Sequence, residues 1–342
     1  MWLSHAWYDF LGCEHRRVGG GGYTSRMGAV HVGTCAWTEK TMAGLWYPKG
    51  VTSPEARLRH YASRFDTVEV DSPFYGIPPK AYAAAWAKRT PGDFIFHVKA
   101  YGMMTQHEVD ERSLAPELRS YDHTVTPRGR VTHPHPDMVD AAFDVFLDAI
   151  DPLRQAGKLG GILMQFPPYF TAETKEHERR NLEYLEYVCS KLQGYRALVE
   201  FRHPSWVRGS RCERTMRFLA DQGMAYVSVD SPQYETGSTM PPIPALTSAW
   251  AYVRMHGRNR DTFFKLTGSS ADRFDYRYSA EELEEWAPKI RSLAADADRT
   301  FVMFNNNKYD YAQRNAAEIA TILGDLVPSR SGDAGSDGPT LF

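Results

Sequence analysis

The chain has 342 residues, 42 acidic and 40 basic, for a formal net charge of −2. A hydrophobic fraction of 42% supports a full core, and the length suits either two ordinary domains or one large α/β barrel. The near-neutral balance argues against an open basic surface for nucleic acid, though not against a locally basic pocket, and no apolar run is long enough to cross a bilayer.

Residues 1–26 stand apart. Trp2, Trp7, Phe10 and Leu11 are interrupted by His5 and Asp9, which breaks up any signal-peptide core. Arg16 and Arg17 lead into Gly19 to Gly22, a flexible joint. The segment reads as a flexible extension, with Met27 as a candidate translation start. His31 to Cys35 is the first strand. Ser53 as N-cap and Pro54 at the first helical position open a helix carried by Leu58, Tyr61, Ala62 and Phe65. Thr67 to Val70 is the second strand, a helix spans Pro79 to Lys88, and Phe94 to Val98 is the third strand. A long insertion from Tyr101 to about Pro136, rich in prolines and charges, reads as a lid or rim loop. Within it His133-Pro134-His135-Pro136, with His123 upstream, reads as an extended loop rather than a metal motif.

Ala141 to Leu153 is helical. Gly161 to Phe166 is an apolar run, as in a strand covered on both faces. Leu182, Leu185, Val188, Cys189 and Leu192 mark a helix before the fifth strand, Ala197 to Phe201. Met216, Leu219 and Ala220 mark the next helix, before Ala225 to Val229. Ser231 to Ser248 holds turn residues and prolines but no useful helix. Trp250 to Met255 is the seventh strand. Ser279 and Glu282 form a capping box for a helix with Leu283, Trp286, Ala287, Ile290 and Leu293 inward. Thr300 to Phe304 is the eighth strand, and Ala316, Ile319, Ala320 and Leu323 mark the last helix. Ser329 to Pro339 reads as the start of a disordered tail over 329–342.

Eight strands alternating with seven helices indicate parallel βαβ units. They close into a single (β/α)8 TIM-type barrel over 27–328, its sixth helix weak or missing. The doubly wound rival needs a Gly-rich fingerprint after strand one, and the chain there reads GTCAWTEK. Cys13, Cys35, Cys189 and Cys212 are far apart with no C-x-x-C, which suits reduced thiols in a cytoplasmic protein.

Several segments together resemble the YecE-like proteins, domain of unknown function 72. They are Gly33-Thr34-Cys35-Ala36-Trp37, Glu69-Val70-Asp71-Ser72-Pro73-Phe74-Tyr75, Gly161-Ile162-Leu163-Met164-Gln165-Phe166-Pro167-Pro168, Val199-Glu200-Phe201-Arg202-His203-Pro204-Ser205-Trp206, Val253-Arg254-Met255-His256-Gly257 and Phe304-Asn305-Asn306-Asn307. The resemblance spans roughly Val30 to Leu326. It implies a TIM-type barrel and a soluble bacterial or archaeal protein, and brings no settled activity. Asp71 stands where that family more often has Asn, and the stretch after Lys99 is longer than expected.

A parallel barrel gathers its strand ends on one rim, where active sites of this fold lie. Here those ends carry Thr34 and Trp37, Glu69 and Asp71, Lys99, Gln165, Glu200 and Arg202, Asp230, Arg254 and His256, and Asn305 to Asn307. Residues two apart on a strand share a face, so Glu69 joins Asp71, Glu200 joins Arg202, and Arg254 joins His256. The bland alternative is ion pairing that only stiffens the rim. The chemical reading makes Glu200 and Glu69 the acid/base pair and His256 a proton shuttle. Arg202, Arg254 and Lys99 would clamp a carboxylate or phosphate. Asp71, Gln165, Asn305 and Asn306 would orient the ligand, and Trp37, Phe74, Tyr75 and Trp206 would wall the pocket. Cys35 reads as a small buried thiol.

The leading expectation is therefore a metal-independent hydrolase, lyase or isomerase for a small anionic or hydroxyl-rich ligand, with no cofactor. One alternative is a metal-dependent phosphodiesterase on nucleic acid, its divalent ion drawn from Asp71, Glu69, Glu200, Asp230 and His256. Another is a non-catalytic sensor or partner-binding protein.

Overall fold

The computed structural model describes residues 27–234, 239–264 and 270–329. The expected N-terminal extension, and the tail beyond Ser329, lie outside these residues. In chain order the strands are β1 (Ala29–Thr34), β2 (Thr67–Val70), β3 (Ile95–Lys99), β4 (Val109–Asp110), β5 (Thr124–Val125), β6 (Arg130–Thr132), β7 (Leu159–Gln165), β8 (Ala197–Glu200), β9 (Ala225–Asp230), β10 (Trp250–Met255) and β11 (Arg299–Phe304). Eight of them close into a parallel barrel in the order β1-β11-β10-β9-β8-β7-β3-β2.

The helices are α1 (Lys40–Ala43), α2 (Pro54–Arg64), α3 (Lys80–Arg89), α4 (Pro136–Gln155), α5 (Lys175–Lys191), α6 (Arg211–Asp221), α7 (Ala280–Asp296) and α8 (Tyr311–Leu323). Between β9 and β10 the described residues contain no helix, as the sequence predicts. The capping box at Ser279 and Glu282 is formed. Helix α4 starts earlier than its apolar stripe suggests, because His135 caps it and Pro136 takes the first turn. No helix among the described residues is long and apolar enough to cross a membrane.

Close packing sets two positions in the barrel wall. A Cβ on Gly33 would lie 2.4 Å from the Thr67 carbonyl oxygen, so β1 and β2 approach closely only with glycine there. A Cβ on Gly160 would lie 2.5 Å from the His97 ring, so this glycine makes room for an imidazole in the lumen. That ring lies edge-on to Phe301 at 4.4 Å and Tyr252 at 4.8 Å. Among the described residues neither nitrogen finds a hydrogen-bond partner, and burial holds its pKa down at about 3, with lesser help from His31 and Arg196.

The insertion after β3 is more than a loop. It folds as a three-stranded antiparallel sheet in the order β4-β6-β5. Thr126-Pro127-Arg128-Gly129 turns β5 into β6: Gly129 N–H donates to the Thr126 carbonyl at 2.8 Å and Gly129 adopts φ +70°. Val109, Leu114, Leu118 and Val131 are buried beneath it. These side chains are continuous with the main hydrophobic core, so the insertion is packed onto the barrel.

Candidate functional site

Strand β10 alternates, so Tyr252 and Arg254, with His256 just beyond its end, face the lumen. Arg254 is wholly buried. Its Nη1 donates to Glu200 Oε2 at 2.5 Å and its Nη2 to Glu69 Oε1 at 2.5 Å. One guanidinium therefore joins β10 to β8 and to β2 across the barrel. The second Glu69 oxygen accepts from the Tyr252 hydroxyl at 2.8 Å. Glu200 Oε1 accepts from Gln165 Nε2 at 2.8 Å, His256 Nε2 at 3.0 Å and Arg202 Nη1 at 3.4 Å.

Burial pushes both glutamates up, and it is outweighed only by the Arg254 charge acting together with the Tyr252 hydrogen bond at Glu69 and with His256 and Arg202 at Glu200. Glu69 ends below the usual carboxylate range, and Glu200 well below. Burial likewise opposes the Arg254 charge, yet Glu200 and Glu69 raise its pKa well above normal. The three form a permanently ionised core.

His256 is committed at both nitrogens. Nε2 faces Glu200, and Asn305 Nδ2 lies 2.9 Å from Nδ1. Burial lowers its pKa to about 4 against the pull of Glu200, so the ring is neutral and its proton sits on Nε2. Asn305 Oδ1 in turn accepts from Asn307 Nδ2 at 3.0 Å.

The rim above this core is less saturated. The Asp71 side chain is 25% exposed and its Oδ1 lies 3.8 Å from Arg254 Nη2. Among the described residues that oxygen accepts no hydrogen bond. Burial raises the Asp71 pKa to about 7, with Lys99 opposing and Glu69 reinforcing. Lys99 Nζ sits 4.3 Å from the Phe74 ring centroid and makes no hydrogen bond or ion pair among the described residues. Burial lowers its pKa, with Asp71 opposing. Arg202 bonds Glu200 with one nitrogen and places its guanidinium carbon 5.5 Å from the Phe263 centroid. Glu200, Arg202, His256, Ser231, Met240 and Phe263 help to line a narrow cleft of about 40 Å³.

Residues 31–334 match the family described as protein of unknown function DUF72. The chain belongs to the DUF72 family. UPF0759 protein YunF of Bacillus subtilis strain 168 is 30% identical over 297 residues, 86% of this chain and 94% of that protein. UPF0759 protein YecE of Escherichia coli K12 is 26% identical over 204 residues, 59% of each chain. A crystal structure of a DUF72 family protein from Thermotoga maritima MSB8 is 30% identical with a TM-score of 0.68, covering 86% of this chain and 99% of that one.

In this DUF72 barrel several residues singled out from the sequence lie elsewhere. Asp230 turns outward and accepts from Trp286 Nε1 at 2.6 Å, Tyr278 OH at 2.8 Å and Arg258 Nη2 at 2.9 Å; its neighbour Val229 lines the cleft instead. Asn306 turns outward too, donating to the Tyr276 carbonyl at 2.8 Å and Asn315 Oδ1 at 2.9 Å. Trp206 is fully buried, stacked on Phe201 at 4.5 Å, with its Nε1 donating to the Phe170 carbonyl. Trp37 packs edge-on to Trp86 at 5.8 Å. Thr34 bonds the Tyr61 hydroxyl. Cys35 does have a cation nearby, Arg254 Nη2 at 3.8 Å. Even so, burial and Glu69 push its thiol pKa well up, which leaves it a poor nucleophile.

Two residues escape the strand-end reading. Tyr252 lies one turn of the pleat below Arg254, so its spacing of two was the available signal. His107 comes from the insertion and lies edge-on to Phe74 at 4.9 Å. Burial, then the charges of Lys99 and Arg202, hold its pKa down at about 3. Of the carboxylates in the metal alternative, Glu69, Glu200 and Asp230 are already engaged, and among the described residues no group of three or more His, Cys, Asp or Glu side chains is arranged to hold a metal ion.

Proposed function

We propose that this barrel is an acid–base enzyme, of hydrolase, lyase or isomerase type, for a small anionic ligand bound at the C-terminal rim. The observation that carries the reading is Lys99, a buried cation without an ion pair among the described residues whose charge acts on the partly open Asp71 carboxyl, together with Arg202, which gives Glu200 one nitrogen only. Cations without saturating carboxylates are suited to a phosphate or carboxylate.

The proton-transfer role moves from Glu200 to Asp71. Glu200 is saturated by four side chains and held ionised, which makes it a positioning group. His256 has no free nitrogen and holds Glu200 in place. Asp71 titrates close to neutrality, where a general acid or base works best. An anion on Lys99 offsets the ammonium charge that stabilises the Asp71 carboxylate. Binding therefore favours protonated Asp71, the acid form, with Glu69 and Arg254 fixed beneath it. No step in this reading needs a metal, so chelator-treated protein retains turnover.

A thermal-shift and NMR screen of phosphorylated and carboxylated metabolites tests the reading. Expected is stabilisation by one anion class, its loss in Lys99→Met and Arg202→Met, and binding without turnover in Asp71→Asn. Unchanged anion binding in Lys99→Met, or unchanged turnover in Asp71→Asn, overturns it.

A further inference from the structure

The insertion after β3 turns back almost at once. Met104 N–H donates to the Tyr101 carbonyl and His107 N–H to the Gly102 carbonyl, both at 2.9 Å, and Gln106 between them takes φ +61°. A Cβ on Gly102 would lie 3.3 Å from the Phe74 carbonyl oxygen, so the turn after β2 packs closely on this one. His107 is thereby set edge-on to Phe74.

Thr105 fixes the His107 ring. Its Oγ1 lies 3.1 Å from the Gly102 carbonyl oxygen and 2.9 Å from His107 Nδ1. A hydroxyl has one proton to give. Both contacts are hydrogen bonds only when that proton goes to Gly102 and His107 donates from Nδ1. The neutral ring then carries its lone pair on Nε2. Among the described residues Nε2 makes no hydrogen bond, and the ring is only half-buried.

Lys99 lies against the same phenyl ring. Its Nζ is 4.3 Å from the Phe74 centroid and the His107 centroid is 4.9 Å from it, so ammonium and imidazole are at most about 9 Å apart. Two hydrogen bonds of about 3 Å each take up more than half of that distance. Polar groups roughly 4 Å apart on one small molecule therefore reach both. After burial, the charges of Lys99 and Arg202 do most to keep the His107 ring unprotonated. An imidazole lone pair repels the oxygens of an anion. Beside a bound anion it needs a donor, and a hydroxyl on the same molecule supplies one.

We propose that His107 reads a hydroxyl on the anion held by Lys99. Its Nε2 accepts the hydrogen bond, so the ligand is an anion with a hydroxyl a few bonds from its charged group, a hydroxy carboxylate or a hydroxyalkyl phosphate. This rests on the anion clamp proposed above.

Calorimetry on the full chain compares 3-hydroxypropionate with propionate, and glycerol 1-phosphate with propyl phosphate. The hydroxylated member of the preferred pair binds about fivefold tighter, the size of one hydrogen bond. The two pairs decide between carboxylate and phosphate. His107→Phe keeps a ring against Phe74, erases the preference and leaves the hydroxyl-free member binding as before, while Lys99→Met weakens both. Nitrogen-15 NMR of the wild-type histidines is a second readout, independent of how well His107→Phe folds. It finds His107 protonated at Nδ1 and bare at Nε2, with Nε2 moved by the hydroxylated anion alone. Equal affinity within both pairs, a preference that survives His107→Phe, or a proton on Nε2 overturns the assignment and leaves the clamp standing. Absence of binding by all four anions removes both.

Discussion

Replacing Arg254 by Met keeps the bulk of the side chain and deletes its charge. Glu200 retains Gln165, His256 and Arg202 as partners. Glu69 retains the Tyr252 hydroxyl in a site with no solvent exposure. Removing one partner of a buried ion pair costs roughly 3–5 kcal/mol, and Glu69 carries most of that loss by taking up a proton on folding. The expected loss at pH 8 is therefore about 4 kcal/mol, a large share of the roughly 5–15 kcal/mol that holds a domain together. The pH dependence has a definite sign. In the wild type Glu69 and Glu200 titrate below their unfolded values. Their contribution is present above about pH 4.3 and is lost as pH falls through the lowered folded values. In Arg254→Met, Glu69 titrates above its unfolded value, so its penalty grows as pH rises. Guanidinium unfolding at pH 5 and pH 8, followed by tryptophan fluorescence, reads both effects. A loss below about 1 kcal/mol at pH 8, or an equal loss at both pH values, refutes the account of a charged core.

Asp71 acts in the opposite sense: its folded pKa of about 7 lies above its unfolded value. It contributes stability below about pH 4 that disappears as pH rises through 7, so Asp71→Asn flattens that decline in a Tm-against-pH series. Asp230→Asn strips a buried carboxylate from Arg258, Tyr278 and Trp286; a loss of about 3 kcal/mol with unchanged anion binding is expected by denaturation and calorimetry. Ser279→Ala removes a capping-box oxygen from α7 and lowers stability by about 1 kcal/mol in the same denaturation assay. Gly33→Ala forces a Cβ against the Thr67 carbonyl and costs about 1–3 kcal/mol, read as a drop in Tm.

The barrel was legible because the strands are short apolar runs and all but the one before Trp250 to Met255 lead into a helix with its own buried stripe. Glu69, Glu200 and Arg254 were legible because a charge at a strand end needs a partner or a task. Side-chain parity was harder: Asp230 and Asn306 lie one residue away from the lumen-facing positions, and sequence alone does not place a strand's face to within one residue where the strand is buried on both sides. Trp37 and Trp206 show that residue type does not separate a pocket wall from a helix–strand seam. The insertion hid its hairpin because β5 has two residues and β6 three, too few for alternation to register. Thr126-Pro127-Arg128-Gly129 was the surviving clue. His107 depends on how that insertion folds back, a tertiary fact with no local signal.

Arg254 meets Glu69 across 185 residues of chain and Glu200 across 54. During synthesis both glutamates must wait in water until the seventh barrel strand emerges from the ribosome. A nascent chain that stops before β10 holds Glu69 and Glu200 without the guanidinium that joins them, which discourages early collapse of a half-barrel. The bridge thus forms late, after about three-quarters of the chain has been made and ahead of the strand that closes the ring.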